Sequence, residues 1–141
     1  MKSKTTGDLI AALQRAKDLH SFICENNDAF FTGTLAQCLQ QLLEQKNLKK
    51  SQVLNRAQIN DIYGYQIFQG IKTPSRDKLL SLCLGFSLSI AEAQALLKHA
   101  GAAPLYPRNL RDAAILFAIK ETLDVPAAND LLYELELETL N

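Results

Sequence analysis

Two stretches of this sequence match each other over 22 positions without a gap. Residues 76–97 (RDKLLSLCLGFSLSIAEAQALL) and 111–132 (RDAAILFAIKETLDVPAANDLL) are offset by 35 positions. The identical pairs are Arg76/Arg111, Asp77/Asp112, Leu88/Leu123, Ala93/Ala128, Leu96/Leu131 and Leu97/Leu132. Each stretch has the pattern of a helix, a turn, an N-cap and a second helix. The match therefore predicts two similar helical hairpins in the second half of the chain.

This internal match has two explanations. A duplicated αα-hairpin would stack its second copy on the first and extend the core. Alternatively, two hairpins have converged on the same leucine pattern. Under either explanation, residues 102–141 extend the structure and do not form a separate catalytic domain.

Apolar residues at spacings of three and four predict helices along the rest of the chain. Residues 7–26 form an amphipathic pattern, and the expected helix either packs on the bundle or contacts a partner. Packing is the favoured alternative. The other predicted helices cover residues 34–47, 49–57, 61–69, Pro74 to Leu84, 89–100, 109–122 and 126–138. Thr34, Thr73 and Ser89 are the predicted N-caps of the first, fourth and fifth of these helices. Gly70 is predicted to end the third helix, and Gly101 the fifth. No stretch has the pattern of a strand, so the predicted fold class is all-α with seven or eight short helices.

The net charge of zero hides an uneven distribution of charge. Residues 34–101 carry eight basic and four acidic side chains, a net charge of +4. Residues 102–141 carry three basic and seven acidic side chains, a net charge of −4. A basic middle segment suits a polyanionic partner, and Glu134, Glu136 and Glu138 are expected to form a solvated acidic helix face.

The three cysteines, Cys24, Cys38 and Cys83, include no C-x-x-C pair, and His20 and His99 are distant from them in sequence. Buried, reduced thiols in a cytoplasmic protein are the expected state, and neither a metal site nor a cofactor is predicted. No run of 18 uncharged apolar residues and no secretory signal is present, so no membrane partner is expected.

Residues 49–69 have the spacing of a helix-turn-helix, which is two short helices joined by a tight turn. Val53, Ala57, Ile59 and Ile67 fall on the positions that pack the two helices together. A longer helix precedes the motif, and the sequence GIKTPS with two further helices follows it.

These features resemble the lambda-repressor-like (Cro/repressor-type, XRE) helix-turn-helix family of prokaryotic or phage type. The resemblance rests on LAQCLQQLLEQKNLKKSQV, GIKTPSRDKLLSLCL and the spacing between them, and it covers about residues 34–100. It implies a five-helix bundle that binds double-stranded DNA in transcriptional control, usually as a homodimer. The chain then divides into an N-terminal amphipathic helix and connection (1–33), a helix-turn-helix domain (34–101) and a C-terminal helical hairpin (102–141).

Three positions depart from the family pattern. Leu54 stands where the family usually has alanine, and Gly64 stands where it usually has a buried isoleucine or valine. The larger Leu54 is expected to fill the space that Gly64 vacates. Gln58 replaces a common glycine, so either Gln58 adopts an unusual backbone conformation or the turn differs.

The resemblance also assigns candidate DNA contacts. The base-contacting candidates on the second short helix are Asn60, Tyr63, Tyr65, Gln66 and Gln69. The phosphate-contacting candidates are Lys49, Lys50, Ser51, Arg56, Lys72, Thr73, Ser75 and Arg76.

An alternative function is a helix-turn-helix scaffold for protein binding, such as an adaptor, an inhibitor or an antitoxin-like partner. Asp61 would repel phosphate, and Ile62, Tyr63 and Tyr65 could form an apolar patch for a protein. An enzyme is not expected, because the sequence shows no catalytic spacing, and Asp77 and Asp112 suit the first turn of a helix.

Overall fold

The computed structural model describes residues 33–141, and every regular element in that range is an α-helix. The predicted helix over 7–26, the connection up to 32, His20 and Cys24 lie outside the described residues. The helices are α1 (Leu35–Lys46), α2 (Lys50–Ala57), α3 (Asp61–Phe68), α4 (Arg76–Gly85), α5 (Ile90–His99), α6 (Leu110–Lys120) and α7 (Val125–Glu134). The all-α fold class is confirmed for this range. No helix within it is long and apolar enough to span a bilayer.

The predicted helix ends are largely confirmed. Thr34 caps α1 in a capping box with Gln37, and Ser89 caps α5 in the same way with Glu92. Gly70 follows α3 with φ of +81°, and the Ile71 N–H donates to the Gln66 carbonyl at 2.9 Å. A left-handed residue that lets the next amide reach back to the last turn is the Schellman ending of a helix.

The cap of α4 and the end of α7 differ most from the predictions. The cap of α4 is Ser75 rather than Thr73, since the Ser75 hydroxyl accepts a hydrogen bond from the Lys78 N–H. Helix α7 ends at Glu134, four residues before the predicted end, and Glu136 has φ of +58°. Glu136 and Glu138 therefore do not lie on a helix face, and the chain after α7 turns back toward Arg111.

Helix α4 forms the centre of the structure. It packs against α2, α5, α6 and α7, and residues 79–85 are all buried. A helix that is apolar on every side needs neighbours on every side. One continuous buried cluster accordingly extends from Cys38 on α1 to Leu140 near the C-terminus.

The expected compensation between Leu54 and Gly64 is present where α2 crosses α3. Leu54 is fully buried, and a Cβ atom added to Gly64 would lie 2.4 Å from Leu54 Cδ2 and 2.6 Å from Leu54 Cδ1. Real atoms do not approach so closely, so the leucine and any side chain at position 64 exclude each other.

The two matching stretches make the same hydrogen bonds at the same offset of 35. The Leu105 N–H donates to Gln94 Oε1 at 2.7 Å, and the Leu140 N–H donates to Asn129 Oδ1 at 2.8 Å. The turn residues are equivalent as well, because Ser87 and Thr122 have φ of +54° and +53°. The structural repeat thus extends beyond the sequence match, to residues 76–105 (copy one) and 111–140 (copy two).

Two ion pairs cross between the copies. Arg76 binds Asp112 through Nη1–Oδ1 and Nη2–Oδ2 distances of 3.2 and 3.0 Å. Arg111 binds Asp77 through the same atom pairs at 3.0 and 3.1 Å. The hydrogen bonds to Asp77 raise the pKa of Arg111 above its ordinary value, although partial burial opposes the shift.

Each arginine also ties down the end of its own copy. Arg76 Nε and Nη2 donate to the carbonyls of Ala103 and Pro104, and Arg111 uses the same atoms for the carbonyls at 138 and 139. The arginine of each copy binds the aspartate of the other copy, so both copies use the same surface for the contact. Such a contact is isologous. The copies are therefore related by a local pseudo-two-fold axis, and they are not stacked by simple translation.

The contact between Leu54 and Gly64 is testable by a double-mutant cycle. We expect Gly64→Ala to destabilise the protein by about 1 kcal/mol, because overpacking outweighs the better helix propensity of alanine. Leu54→Ala alone should cost about 2–5 kcal/mol, and the double variant should be at least about 1 kcal/mol more stable than additivity predicts. Urea unfolding measures each free energy. Leu97→Ala with Gly64→Ala is the control pair that should be additive, and additivity in both pairs would disprove the compensation.

The crossed ion pairs should contribute unequally. The Asp112 side chain is 10% exposed and also accepts from the Tyr106 N–H, whereas the Asp77 side chain is 39% exposed. Asp112→Ala should therefore cost about 3 kcal/mol and Asp77→Ala less than about 1 kcal/mol. Both residues occupy the first turn of a helix, so the helix-dipole contribution cancels in this comparison. Equal losses in urea unfolding would contradict the assignment of Asp112 as the buried partner.

Candidate nucleic-acid interface

A tight turn positions α2 and α3. Gln58 has φ of +53°. Of the two alternatives expected for this position, the structure therefore shows an unusual backbone conformation at Gln58 rather than a different turn. Its backbone lets the Ile59 N–H donate to the Leu54 carbonyl at 3.0 Å, and its side chain donates to the Asn55 carbonyl. The four residues predicted to pack the two helices together are all buried: Val53, Ala57, Ile59 and Ile67.

A shallow depression of about 480 Å³ lies between the start of α2 and the outer side of α3. Its lining residues are Lys49, Lys50, Ser51, Tyr65 and Gln69. The first three are candidate phosphate contacts, and the last two are candidate base contacts. The structure therefore brings members of both sets to one place, at the N-terminal end of α2.

The remaining candidates on α3 are less available. Tyr63 is half-buried and packs against the core, and Gln66 is half-buried. The Asn60 side chain caps α3 by accepting from the Ile62 and Tyr63 N–H groups. Ile62 is 73% exposed and Tyr65 is 41% exposed, so the outermost side chains of α3 are mainly apolar or aromatic.

The segment after α3 holds three further candidates. Lys72 and Thr73 are exposed, and the Ser75 hydroxyl is engaged as the cap of α4. None of these residues lines the depression that contains Lys49.

Two arginines predicted to contact phosphate have intramolecular partners. Arg56 Nη2 donates to the carbonyls of Leu84 and Thr122 at 3.4 and 3.3 Å, and its Nε is buried. The Arg76 guanidinium is held by Asp112 and by two backbone carbonyls. Both guanidinium groups thus join parts of the fold, and the lysines are left as the cations beside α3.

Lys50 is half-buried and has a structural contact. Its Nζ lies 5.6 Å from the centre of the Phe68 ring, within range of a cation–π interaction. Phe68 is itself buried against Phe86, with ring centroids 6.3 Å apart. The ring of Phe68 thereby helps to hold the Lys50 ammonium group at the rim of the depression.

One further ion pair links α1 to α5. Lys46 Nζ lies 3.2 Å from Glu92 Oε2. Partial burial would raise the pKa of Glu92, but hydrogen bonds from the Ser89 backbone and from Lys46 lower it below its ordinary value. This pair is part of the scaffold and lies outside the depression.

The arginine contacts are what sequence reasoning missed. The positions of Arg56 and Arg76 relative to the helix-turn-helix motif predict phosphate contacts, but they do not account for partners far along the chain. The identical Arg-Asp dipeptides at 76–77 and 111–112 were the signal that could have predicted the crossed pairing.

Among residues 33–141, no group of three or more His, Cys, Asp and Glu side chains is placed to hold a metal ion. Comparisons of the chain with protein-family models, with curated proteins and with solved structures gave no match.

Cys38 and Cys83 are buried and free, as the sequence predicts. Burial raises the pKa of Cys38 to about 11 and that of Cys83 to about 12, so both thiols are protonated at neutral pH. Since the thiolate is the reactive species, neither should react with iodoacetamide at pH 8 in the folded protein. In a Cys24→Ser background, mass spectrometry should show no labelling without urea and two labels in urea. Rapid labelling without urea would contradict the buried positions.

Proposed function

We propose that this chain is a sequence-specific DNA-binding regulator in which α2 and α3 form a repressor-like helix-turn-helix. The observation that carries the proposal is the depression between the two helices. All its lining residues belong to the contact sets that the family resemblance implies.

The chemistry of the depression suits a DNA backbone beside exposed base edges. Lys49 and Lys50 supply positive charge at the N-terminal end of α2, where the first backbone N–H groups also favour an anion. Gln69 can hydrogen-bond an adenine edge, and Tyr65 can reach phosphate or pack on a thymine methyl group. A phosphate at Lys49 and Lys50 would therefore leave Tyr65 and Gln69 next to the bases.

Because Arg56 and Arg76 are engaged within the protein, they add little to the electrostatic part of the DNA-binding affinity. Lys49, Lys50 and Lys72 are the remaining cations of the predicted contact set. Each neutralised phosphate contributes about 0.9 to the slope of log affinity against log salt. Each protein copy should therefore show a slope of about −2 to −3, which is modest for a DNA-binding domain.

Duplex binding can be tested by selection from a random pool followed by fluorescence anisotropy at several salt concentrations. We expect one enriched sequence, and we expect Lys49→Ala with Lys50→Ala to reduce the salt slope by about 2 for every duplex. Tyr65→Ala or Gln69→Ala should change the enriched sequence and leave the slope unchanged.

The matched control for the lysines is Lys98→Ala with Lys120→Ala, which removes the same charge from α5 and α6. Retained binding by the control pair supports an interface on α2 and α3. Absence of duplex binding in 50 mM salt, or an equal loss in both pairs, would overturn the proposal.

One observation favours the alternative of a protein partner. Ile62 and Ile71 are 73% and 65% exposed at the start of α3 and just after it, and Asp61 is exposed beside Ile62. An exposed isoleucine next to a carboxylate suits an apolar protein surface better than phosphate. If this surface serves a protein, Ile62→Ser should abolish a pull-down partner from the native lysate, and the wild type should bind no duplex.

A further inference from the structure

Helix α2 packs against one face of α4, in a groove between the two repeat copies. Gly85 lies on that face, because a Cβ atom added to it would lie 2.6 Å from the Val53 carbonyl oxygen on α2. Leu82 precedes Gly85 by three residues and therefore shares its face. Since Leu82 is fully buried, the face of α4 that receives α2 is closed to solvent.

The repeat places the equivalent face on α6, where no element of residues 33–141 covers it. Phe117 corresponds to Leu82 through the offset of 35, and it is 50% exposed. Leu110 lies two turns earlier on the same face and is 61% exposed. Ala113 stands between them, three residues after Leu110 and four before Phe117. These three residues, Leu110, Ala113 and Phe117, form the α6 outer face.

The α6 outer face is more apolar than its counterpart in copy one. Leu110 and Ala113 take the places of Ser75 and Lys78. A helix face that only water contacts is ordinarily polar. Exposed leucine and phenylalanine side chains on one face instead mark a surface that a partner covers.

Opposite charges lie at the two ends of this face. Arg108 comes just before α6 and Glu121 just after it, and both are exposed. Neither side chain has an ion-pair partner within residues 33–141. The neighbouring Lys120 lines a separate depression beside the start of α5.

This charge distribution is complementary to itself when two copies of α6 run antiparallel. Each Arg108 then approaches Glu121 of the other copy, so the attraction occurs twice. The positive end of each helix dipole also lies beside the negative end of the other. A parallel pair would place like charges together at both ends.

We propose that the α6 outer face binds the same face of a second copy of this chain, as an antiparallel pair of helices with two-fold symmetry. The helices cross at Ala113, whose small side chain allows their axes to approach closely. Leu110 packs against Phe117 of the second copy. In this register, Arg108 is offset from Glu121 of the second copy by two residues, or about 3 Å along the helix axis.

The proposed contact is separate from the proposed DNA interface. Helix α6 lies beyond residues 34–100, so the family resemblance assigns no partner to its outer face. The contact is expected whether or not the chain binds a duplex.

Sedimentation velocity of the full-length chain tests the apolar contact. Two short helices bury less surface than a standard interface, so we expect a dimer with a dissociation constant of about 1–100 µM. Phe117→Glu should weaken it by at least about a hundredfold, because a carboxylate would enter the apolar contact.

The matched control for Phe117 is Tyr133→Glu, which makes a similar change at an aromatic side chain on α7 that is 78% exposed. It should change the dissociation constant by less than about threefold. A wild type that is monomeric at about 0.5 mM would assign the α6 outer face to a different occupant and overturn the proposal. A dimer that survives Phe117→Glu, or equal losses in the two variants, would also overturn it.

Charge reversal tests the antiparallel arrangement without changing an apolar residue. Arg108→Glu places an acid near the N-terminus of α6, and Glu121→Arg places a base at its C-terminus, so each change favours the helix itself. Each single variant should weaken the dimer by about tenfold, because two symmetric contacts become repulsive. The double variant restores opposite charges and should return to within about threefold of the wild type.

Circular dichroism checks that the charge variants are folded. Single variants that dimerise as tightly as the wild type would contradict the antiparallel pair. A double variant in which the two losses simply add would contradict it as well.

Discussion

The crossed pairing of Arg76 with Asp112 and of Arg111 with Asp77 is the constraint that relates the two helical hairpins to each other. It joins the first turns of α4 and α6 and fixes the two hairpins around a pseudo-two-fold axis. Because Asp112 is almost fully buried, its charge requires this partner. The arrangement places α4 at the centre of the core and creates the groove that receives α2.

The position of α3 follows from the position of α2. Arg56 holds α2 against both copies, and the exclusion between Leu54 and Gly64 sets how closely α3 crosses it. The candidate interface therefore lies on two short helices whose orientation is determined by a repeat far along the chain. In this arrangement the C-terminal hairpin is part of the support for the interface.

Local sequence signals were enough to predict most of the helices. Thr34, Ser89, Gly70 and Gly101 act through neighbouring backbone groups, so their effects can be derived from a few residues. The end of α7 could not be predicted in this way. Its apolar pattern continues beyond Glu134, but Glu136 has φ of +58° and the carbonyls of residues 138 and 139 bind Arg111.

Part of the candidate site could also be predicted from local sequence. Lys49, Lys50, Ser51, Tyr65 and Gln69 lie together because they are close in sequence and share one side of a compact motif. The roles of Arg56 and Arg76 depend on partners 27 to 66 residues away, which periodicity does not indicate. The resemblance places Tyr63 on the exposed face of α3, but its side chain is half-buried. Packing between helices determines this exposure.

Hydrogen exchange of the full-length chain, with and without a duplex enriched from a random pool, tests the central claim most directly. We expect slower exchange in residues 49–52 and 60–69 and unchanged exchange in α6 and α7. Protection confined to the C-terminal hairpin, or no change at any amide at saturating duplex, would contradict a nucleic-acid interface on α2 and α3.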